Sequence, residues 1–330
     1  MTNLKHNTTR PRRNRKNIGI RALLQETTLN SSDFVYPLFI QEGTNLKSSI
    51  SSMPNVYRYT LDLLPEICNE ALKEGIHGIA LFPLVPEQKK DSLGSEAINP
   101  NNLICRAISQ LKKTHPDLVL FSDVALDPYS SDGHDGIVKD GDILNDESLE
   151  LLSKMAVNHA NAGVDIVAPS DMMDGRVAEI RKTLDQAGHQ NTSICSYTIK
   201  YASSFYGPFR DALESAPKAG DKKTYQMNPA NRLEAMRELE LDTTEGADII
   251  MIKPAGAYLD IIRDVKHSTA LPVAAYQVSG EYSMIHAGAE KGLFDLDQAM
   301  YESLLAIKRA GADLIFSYAA LDIARQLNYA

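Results

Sequence analysis

Ala162-Gly163-Val164-Asp165-Ile166-Val167 recurs twice in near copy, as Glu245-Gly246-Ala247-Asp248-Ile249-Ile250 and as Ala310-Gly311-Ala312-Asp313-Leu314-Ile315. A fainter version is Glu74-Gly75-Ile76-His77-Gly78-Ile79. A glycine that ends an amphipathic stretch and leads into an apolar one marks a helix C-terminus in the left-handed conformation, followed by a buried strand. Repeated junctions of this kind point to a repeated strand-helix unit. Eight short apolar runs, rich in β-branched residues, fit it: 34–40, 78–83, 118–126, 164–168, 193–200, 247–253, 272–278 and 314–318. Each is continuous rather than alternating, as strands covered on both faces require. Helical patterns lie between most of them, for example 62–74, 147–162, 231–245 and 297–310. Strands that alternate with helices imply a parallel sheet. An open doubly wound sheet is the alternative, but no GxGxxG turn occurs anywhere in the chain. The expected fold is α/β, a closed (β/α)8 TIM barrel over 33–330, preceded by an extended arm over 1–32. Active sites of such barrels gather at the C-terminal ends of the strands.

At 330 residues such a barrel buries roughly three quarters of its unfolded surface and needs no covalent staples. The formal net charge of -9 argues against a nucleic-acid binder. Charge is uneven, however: seven Lys and Arg precede the first acid, Glu26, and they include Arg12, Arg13, Arg15 and Lys16. No aromatic residues interleave them, so a solvated arm is the plainer reading. Cys68, Cys105 and Cys195 are far apart and in no CxxC spacing, which speaks against disulfides or a structural zinc site and fits a reducing compartment. No apolar run is long enough to span a bilayer, and no secretory h-region follows the basic start. The arm resembles a transit peptide in charge, but 28–40 already reads as folded structure. A cytoplasmic protein is expected.

Two lysines stand out. Lys253 follows the four apolar residues Ile249-Ile250-Met251-Ile252, and Lys200 ends Thr198-Ile199 in the same way. Burial disfavours an ammonium and lowers its pKa, and a second ammonium nearby lowers it further. A neutral amine attacks a ketone to form a Schiff base. A single lysine at a strand end more often snorkels to solvent. Two of them, at equivalent ends of adjacent strands, make that reading less comfortable.

Around these lysines the chain resembles the porphobilinogen synthase (5-aminolevulinate dehydratase) family. The motifs are Tyr201-Ala202-Ser203-Ser204-Phe205-Tyr206-Gly207-Pro208-Phe209-Arg210, Tyr225-Gln226-Met227-Asn228-Pro229, Met251-Ile252-Lys253-Pro254-Ala255-Gly256 and Tyr276-Gln277-Val278-Ser279-Gly280-Glu281-Tyr282. The resemblance runs from Arg12 to the C-terminus. It implies a lyase of heme and tetrapyrrole biosynthesis that condenses two 5-aminolevulinate molecules to porphobilinogen with loss of two waters. Lys253 matches the Schiff-base lysine for the propionate-side substrate, and Lys200 the one for the acetate-side substrate. Arg210 and Lys222 match the acetate-side carboxylate binders, in a lid over about 203–227 that also carries Gln226. Ser279 and Tyr318 match the propionate-side carboxylate donors. Many members hold a catalytic zinc with three cysteines, where this chain has Ala125, Asp127 and Asp135. Thiolates hold zinc, whereas carboxylates suit Mg²⁺ or no metal, so no active-site zinc is expected. Asp123, Asp127, Asp132 and Asp135 form an acidic cluster expected at the barrel mouth, able to take Mg²⁺ or a monovalent cation, to balance the lysines, or to orient the substrate amine. Glu238 matches the ligand of an allosteric Mg²⁺. The arm is expected to wrap a neighbouring subunit, with dimers building a homo-octamer. No membrane or nucleic-acid partner is implied.

Two rivals remain at this stage. A class I aldolase shares the barrel and one Schiff-base lysine but needs neither a second lysine nor two carboxylate sites. A non-catalytic barrel scaffold has no need of either lysine.

Overall fold

The computed structural model describes residues 9–329. The first eight residues of the arm and Ala330 lie outside the described residues. Eight parallel strands form the barrel: β1 (Phe34–Gln41), β2 (Gly78–Pro83), β3 (Val119–Val124), β4 (Ile166–Pro169), β5 (Ser193–Lys200), β6 (Ile249–Lys253), β7 (Val273–Gln277) and β8 (Leu314–Ser317). They pair in sequence order, and β8 returns to pair with β1, so the sheet closes. All eight apolar runs became barrel strands: 78–83 and 193–200 keep their bounds, the first gains Gln41, and the others shift or shorten by one or two residues at an end. The helical pattern at 231–245 starts later than expected, at Glu234, because Asn231 is exposed and its side chain turns to Glu234 Oε2 at 2.8 Å. β1 changes neighbour along its length. Its first residues pair with β8, and Phe39–Gln41 pair with a short strand Tyr57–Thr60 that is half of a hairpin.

The repeated junction does the same work each time. Gly75, Gly163, Gly246 and Gly311 all have positive φ, between 83° and 127°, where any residue with a Cβ is strained. At the last three junctions the aspartate two residues later accepts a hydrogen bond from an N–H near the start of the preceding strand. Asp165 takes Leu120 N at 2.8 Å, Asp248 takes Ile194 N at 2.7 Å, and Asp313 takes Val273 N at 2.8 Å. These carboxylates close the strand starts at the face opposite the strand C-termini, where a barrel keeps its stability rather than its chemistry.

Aromatic rings fill the barrel interior beneath the strand ends. Phe82 lies 6.0 Å from Phe39 and 6.4 Å from Tyr276, and Phe316 lies 5.3 Å from Tyr276 and 5.2 Å from Phe121, centroid to centroid. This column is the floor of the site described next. The N-terminal arm stands apart from it. Among the described residues Leu29 is the first buried side chain, while Ile18, Leu23 and Leu24 are exposed. Among the described residues no helix is long and apolar enough to cross a membrane.

Candidate active site

Lys200 and Lys253 end neighbouring strands, and their Cα atoms are paired partners. That pairing depends on an irregularity. Cys195 and Ser196 pair with Ile249 and Ile250, whereas Ile199 and Lys200 pair with Ile252 and Lys253. One extra residue is thus taken up in β5. Side chains alternate faces along a strand, so this slip decides whether two residues share a face. With it, both lysines line the same cavity, and each is only 6% exposed.

The surroundings of the two amines differ. Lys253 Nζ lies among four rings, 4.5 Å from the centroid of Tyr276, 4.9 Å from Tyr197, 5.0 Å from Phe209 and 5.4 Å from Tyr206. Burial, reinforced by the charge of Lys200, pulls its pKa down to about 7 despite the opposing aspartates. Burial also pushes the hydroxyls of Tyr197, Tyr206 and Tyr276 well above their ordinary range, so they remain neutral. Lys200 has polar company instead. Its ammonium donates to the carbonyl of Ser170, just past β4, and lies 3.9 Å from Asp135 Oδ2.

The acidic cluster forms because the loop after β3 closes on itself, Leu126 N donating to Asp135 O at 3.1 Å. Asp127 and Asp135 are thereby brought to the two sides of Lys222, whose ammonium lies 3.4 Å from Asp127 Oδ2 and 3.2 Å from Asp135 Oδ1. Burial alone would raise Asp135, but Lys200 and Lys222 outweigh it and hold the carboxyl at about 2. Asp127 moves up, because burial prevails over Lys222. Asp123, at the end of β3, is pushed up to about 7 by burial and by Asp127. The site therefore holds a carboxyl group and an amine that both change protonation near neutrality, beside one permanently charged ion pair. Asp132 is not part of this group: it turns its backbone carbonyl to Lys218 N at 3.0 Å and does not line the cavity.

The segment 203–227 covers the mouth. It contains a turn of 3-10 helix, Ser204–Tyr206, and a short helix, Gly207–Leu213. Both its ends are pinned next to Lys200, since Met227 N donates to Lys200 O at 3.0 Å and Ala202 N to Met227 O at 2.8 Å. Arg210, Lys222 and Gln226 reach into the cavity from it, with Tyr206 and Phe209. The Oε1 of Gln226 is buried without a hydrogen-bond partner, as is Asp135 Oδ2. Two buried acceptors of this kind call for a donor that arrives from outside the chain. The enclosed space amounts to about 30 Å³.

Ser279 and Tyr318 are not among the residues lining this space. They sit behind the rings. Tyr318 Oη is 3.0 Å from Tyr276 Oη, and Ser279 Oγ accepts from Phe209 N at 2.9 Å while its hydroxyl donates to Phe205 O at 3.4 Å. Both hydroxyls are engaged with protein, Ser279 with the 203–227 segment and Tyr318 with Tyr276. Glu238 lies elsewhere, in a cleft of about 550 Å³ with Asp142, Asp174, Glu234 and Lys223, and Gln226 is shared between cleft and cavity. Among the described residues no three His, Cys, Asp or Glu side chains are grouped to hold a metal ion. The ring cage was missed in the sequence, although a signal was present: Tyr197 and Tyr276 place large aromatic side chains in strands buried on both faces.

Comparison with known proteins identifies the relatives of this arrangement. The family model for delta-aminolevulinic acid dehydratase matches residues 8–326. A delta-aminolevulinic acid dehydratase of Chlamydia pneumoniae is 53% identical over 311 residues, covering 94% of each chain. The chloroplastic enzyme of Physcomitrium patens is 56% identical over 96% of this chain and 74% of its own length. A crystal structure of the delta-aminolevulinic acid dehydratase (porphobilinogen synthase) of Toxoplasma gondii ME49, in complex with the reaction product porphobilinogen, superposes with a TM-score of 0.94. It shares 48% identity and covers 96% of this chain and 91% of that one.

Proposed function

The chain belongs to the delta-aminolevulinic acid dehydratase family, and from that premise we propose that it makes porphobilinogen from two 5-aminolevulinate molecules through Schiff bases on Lys253 and Lys200. The lyase reaction itself is the family's, and the aldolase and scaffold readings fall with it. The observation that carries the two-lysine route is the in-register pair of buried amines lining one cavity.

Lys253, partly neutral near pH 7, attacks the ketone carbon of the first substrate. A C–N bond forms, the carbonyl oxygen leaves as water, and an iminium results. Asp123, which also exchanges a proton near neutrality, supplies the proton that departing water needs. The phenols around Lys253 stay neutral and exclude water from the iminium. Lys200 binds the second ketone in the same way, with Ser170 O and Asp135 orienting its nitrogen. Arg210 and Lys222 receive that substrate's carboxylate, Gln226 closes over it, and Ser279 and Tyr318 receive the carboxylate of the first. Asp135 Oδ2 accepts from a substrate ammonium. A cavity of about 30 Å³ has room for little more than a water, so the substrates enter when the lid over 203–227 lifts. Lifting also frees Ser279, whose partners are lid backbone atoms.

Trapping tests this reading. Borohydride added with 5-aminolevulinate is expected to leave adducts on Lys253 and Lys200; adducts on neither would remove the Schiff-base route. The rate of adduct formation on Lys253 follows its neutral fraction, which grows as pH rises toward its pKa of about 7. The rate is expected to fall by about tenfold for each pH unit below the midpoint. Asp123 favours the ammonium form of Lys253, so Asp123→Asn should move that midpoint down. A rate that is flat between pH 5.5 and 7.5 would contradict the assignment.

Metal use follows from the oxygen ligands present. Between Asp127 and Asp135 the Lys222 ammonium already occupies the position of a cation, so these carboxylates do not fit a further metal ion. Mg²⁺ keeps several waters and binds through one or two carboxylates. The acidic cleft of Glu238 suits such a hydrated ion, and Glu238, raised by burial and by Asp242, gains from a cation. There Mg²⁺ would act as an activator. Activity should survive a zinc-selective chelator and rise with Mg²⁺, and Glu238→Ala should flatten the Mg²⁺ titration. An unchanged titration would rule the site out. The exposed apolar residues Ile18, Leu23 and Leu24 beside a basic run support an arm that packs on a neighbouring subunit in an octamer.

A further inference from the structure

We propose that His134 is a positioning residue for this reaction, holding the two stretches of lid on either side of Lys222 so that its ammonium is set against Asp127 and Asp135. The proposal rests on the reading of Lys222 as a substrate-carboxylate binder.

His134 is buried in the loop after β3, next to Asp135. Its Nε2 lies 2.9 Å from Ala219 O and its Nδ1 lies 3.0 Å from Tyr225 Oη. A carbonyl oxygen only accepts, so Nε2 carries a proton and donates to Ala219 O, which leaves Nδ1 to accept from the tyrosine hydroxyl. The Tyr225 oxygen in turn accepts from Asp135 N at 3.3 Å. Every donor in this chain has one acceptor, and the roles are consistent throughout. Ala219 precedes Lys222 by three residues and Tyr225 follows it by three. One imidazole thus fixes both flanks of the lysine, while the adjacent residue, Asp135, takes the lysine's charge.

The rest of the seam fits closely around these bonds. Lys218 N donates to Asp132 O at 3.0 Å. A Cβ at Gly133 would stand 2.4 Å from Ala216 O, and Gly133 also has a φ of 73°. The lid therefore lies directly on the 132–135 backbone, and the histidine is the side chain that bonds across the seam at two points. Lys222 has a long, rotatable stem, and holding it in one geometry costs side-chain entropy. Fixing the backbone on both sides spares the further cost of ordering that stretch of lid when the substrate arrives.

The test uses the full-length enzyme. His134→Ala is expected to raise KM for 5-aminolevulinate by about tenfold, while the yield of borohydride adduct on Lys253 at saturating substrate stays at the parent level. His134→Gln keeps a donor for Ala219 O and an acceptor for Tyr225, and should recover most of the loss. Because His134 acts partly through Tyr225, adding His134→Ala to Tyr225→Phe should raise KM by much less than it does alone. A KM for His134→Ala within about twofold of the parent would overturn the proposal, as would the full effect reappearing on the Tyr225→Phe background. If the unsubstituted enzyme gave no adduct on Lys253, the Schiff-base reading would fail, and the KM comparison would still decide the role of His134.

Discussion

Lys253→Met is expected to lower porphobilinogen formation by about 10⁴-fold or more, the scale on which loss of a covalent nucleophile is felt. Methionine fills nearly the same volume among Tyr197, Tyr206, Phe209 and Tyr276, so the fold should persist, and an apolar side chain suits that cage better than an ammonium does. The variant should therefore be at least as stable as the parent while inactive. Its borohydride adduct should move entirely to Lys200 or vanish. Lys200→Met offers the useful contrast. It removes a positive charge that presses down the pKa of Lys253, so the remaining amine becomes more basic and its trapping midpoint shifts to higher pH. A Lys253→Met enzyme that retained a tenth of parental turnover would end the two-lysine mechanism.

Asp135→Asn should be the most damaging single change to the seating of the lid on the barrel. The carboxylate faces Lys222 at 3.2 Å and Lys200 at 3.9 Å, all of it buried. Removing one partner of a buried pair leaves charge uncompensated, at a cost of about 3–5 kcal/mol. The pH dependence has a definite sign. Asp135 is held at about 2, below its ordinary value of 3.8, so its contribution to stability is complete above the unfolded pKa and disappears as pH falls toward 2. The difference in Tm between parent and Asp135→Asn should be large at pH 6 and shrink between pH 4 and pH 2. Turnover should fall as well, because Lys222 loses its anchor and Lys200 its orienting carboxylate. Equal melting temperatures at pH 6 would show that the ion pair contributes nothing.

Much of this was legible in the chain. The glycine junctions announced the barrel because each glycine needs a left-handed turn between helix and strand, which is a local demand, whereas the bond from each neighbouring aspartate to an earlier strand start is tertiary. Lys200 and Lys253 were legible because an ammonium after several apolar residues has no cheap burial unless it loses its proton. The family motifs supplied Arg210, Lys222, Gln226, Ser279 and Tyr318, and the structure brings the first three to the cavity but keeps the other two behind the rings. Asp132 looked equivalent to its neighbours, yet its side chain does not line the cavity.

The sequence by itself determined eight buried strands, their order, and two reactive amines at strand ends, since these follow from periodicity, turn chemistry and the cost of burying charge. Only the tertiary structure decided that the amines line one cavity. That depends on one extra residue accommodated in β5, which changes which side chains share a face. It also decided the ring cage around Lys253 and the closure that sets Asp127 and Asp135 on either side of Lys222. Each of these joins residues distant in the chain, and no local preference encodes a contact whose partner is supplied by another strand.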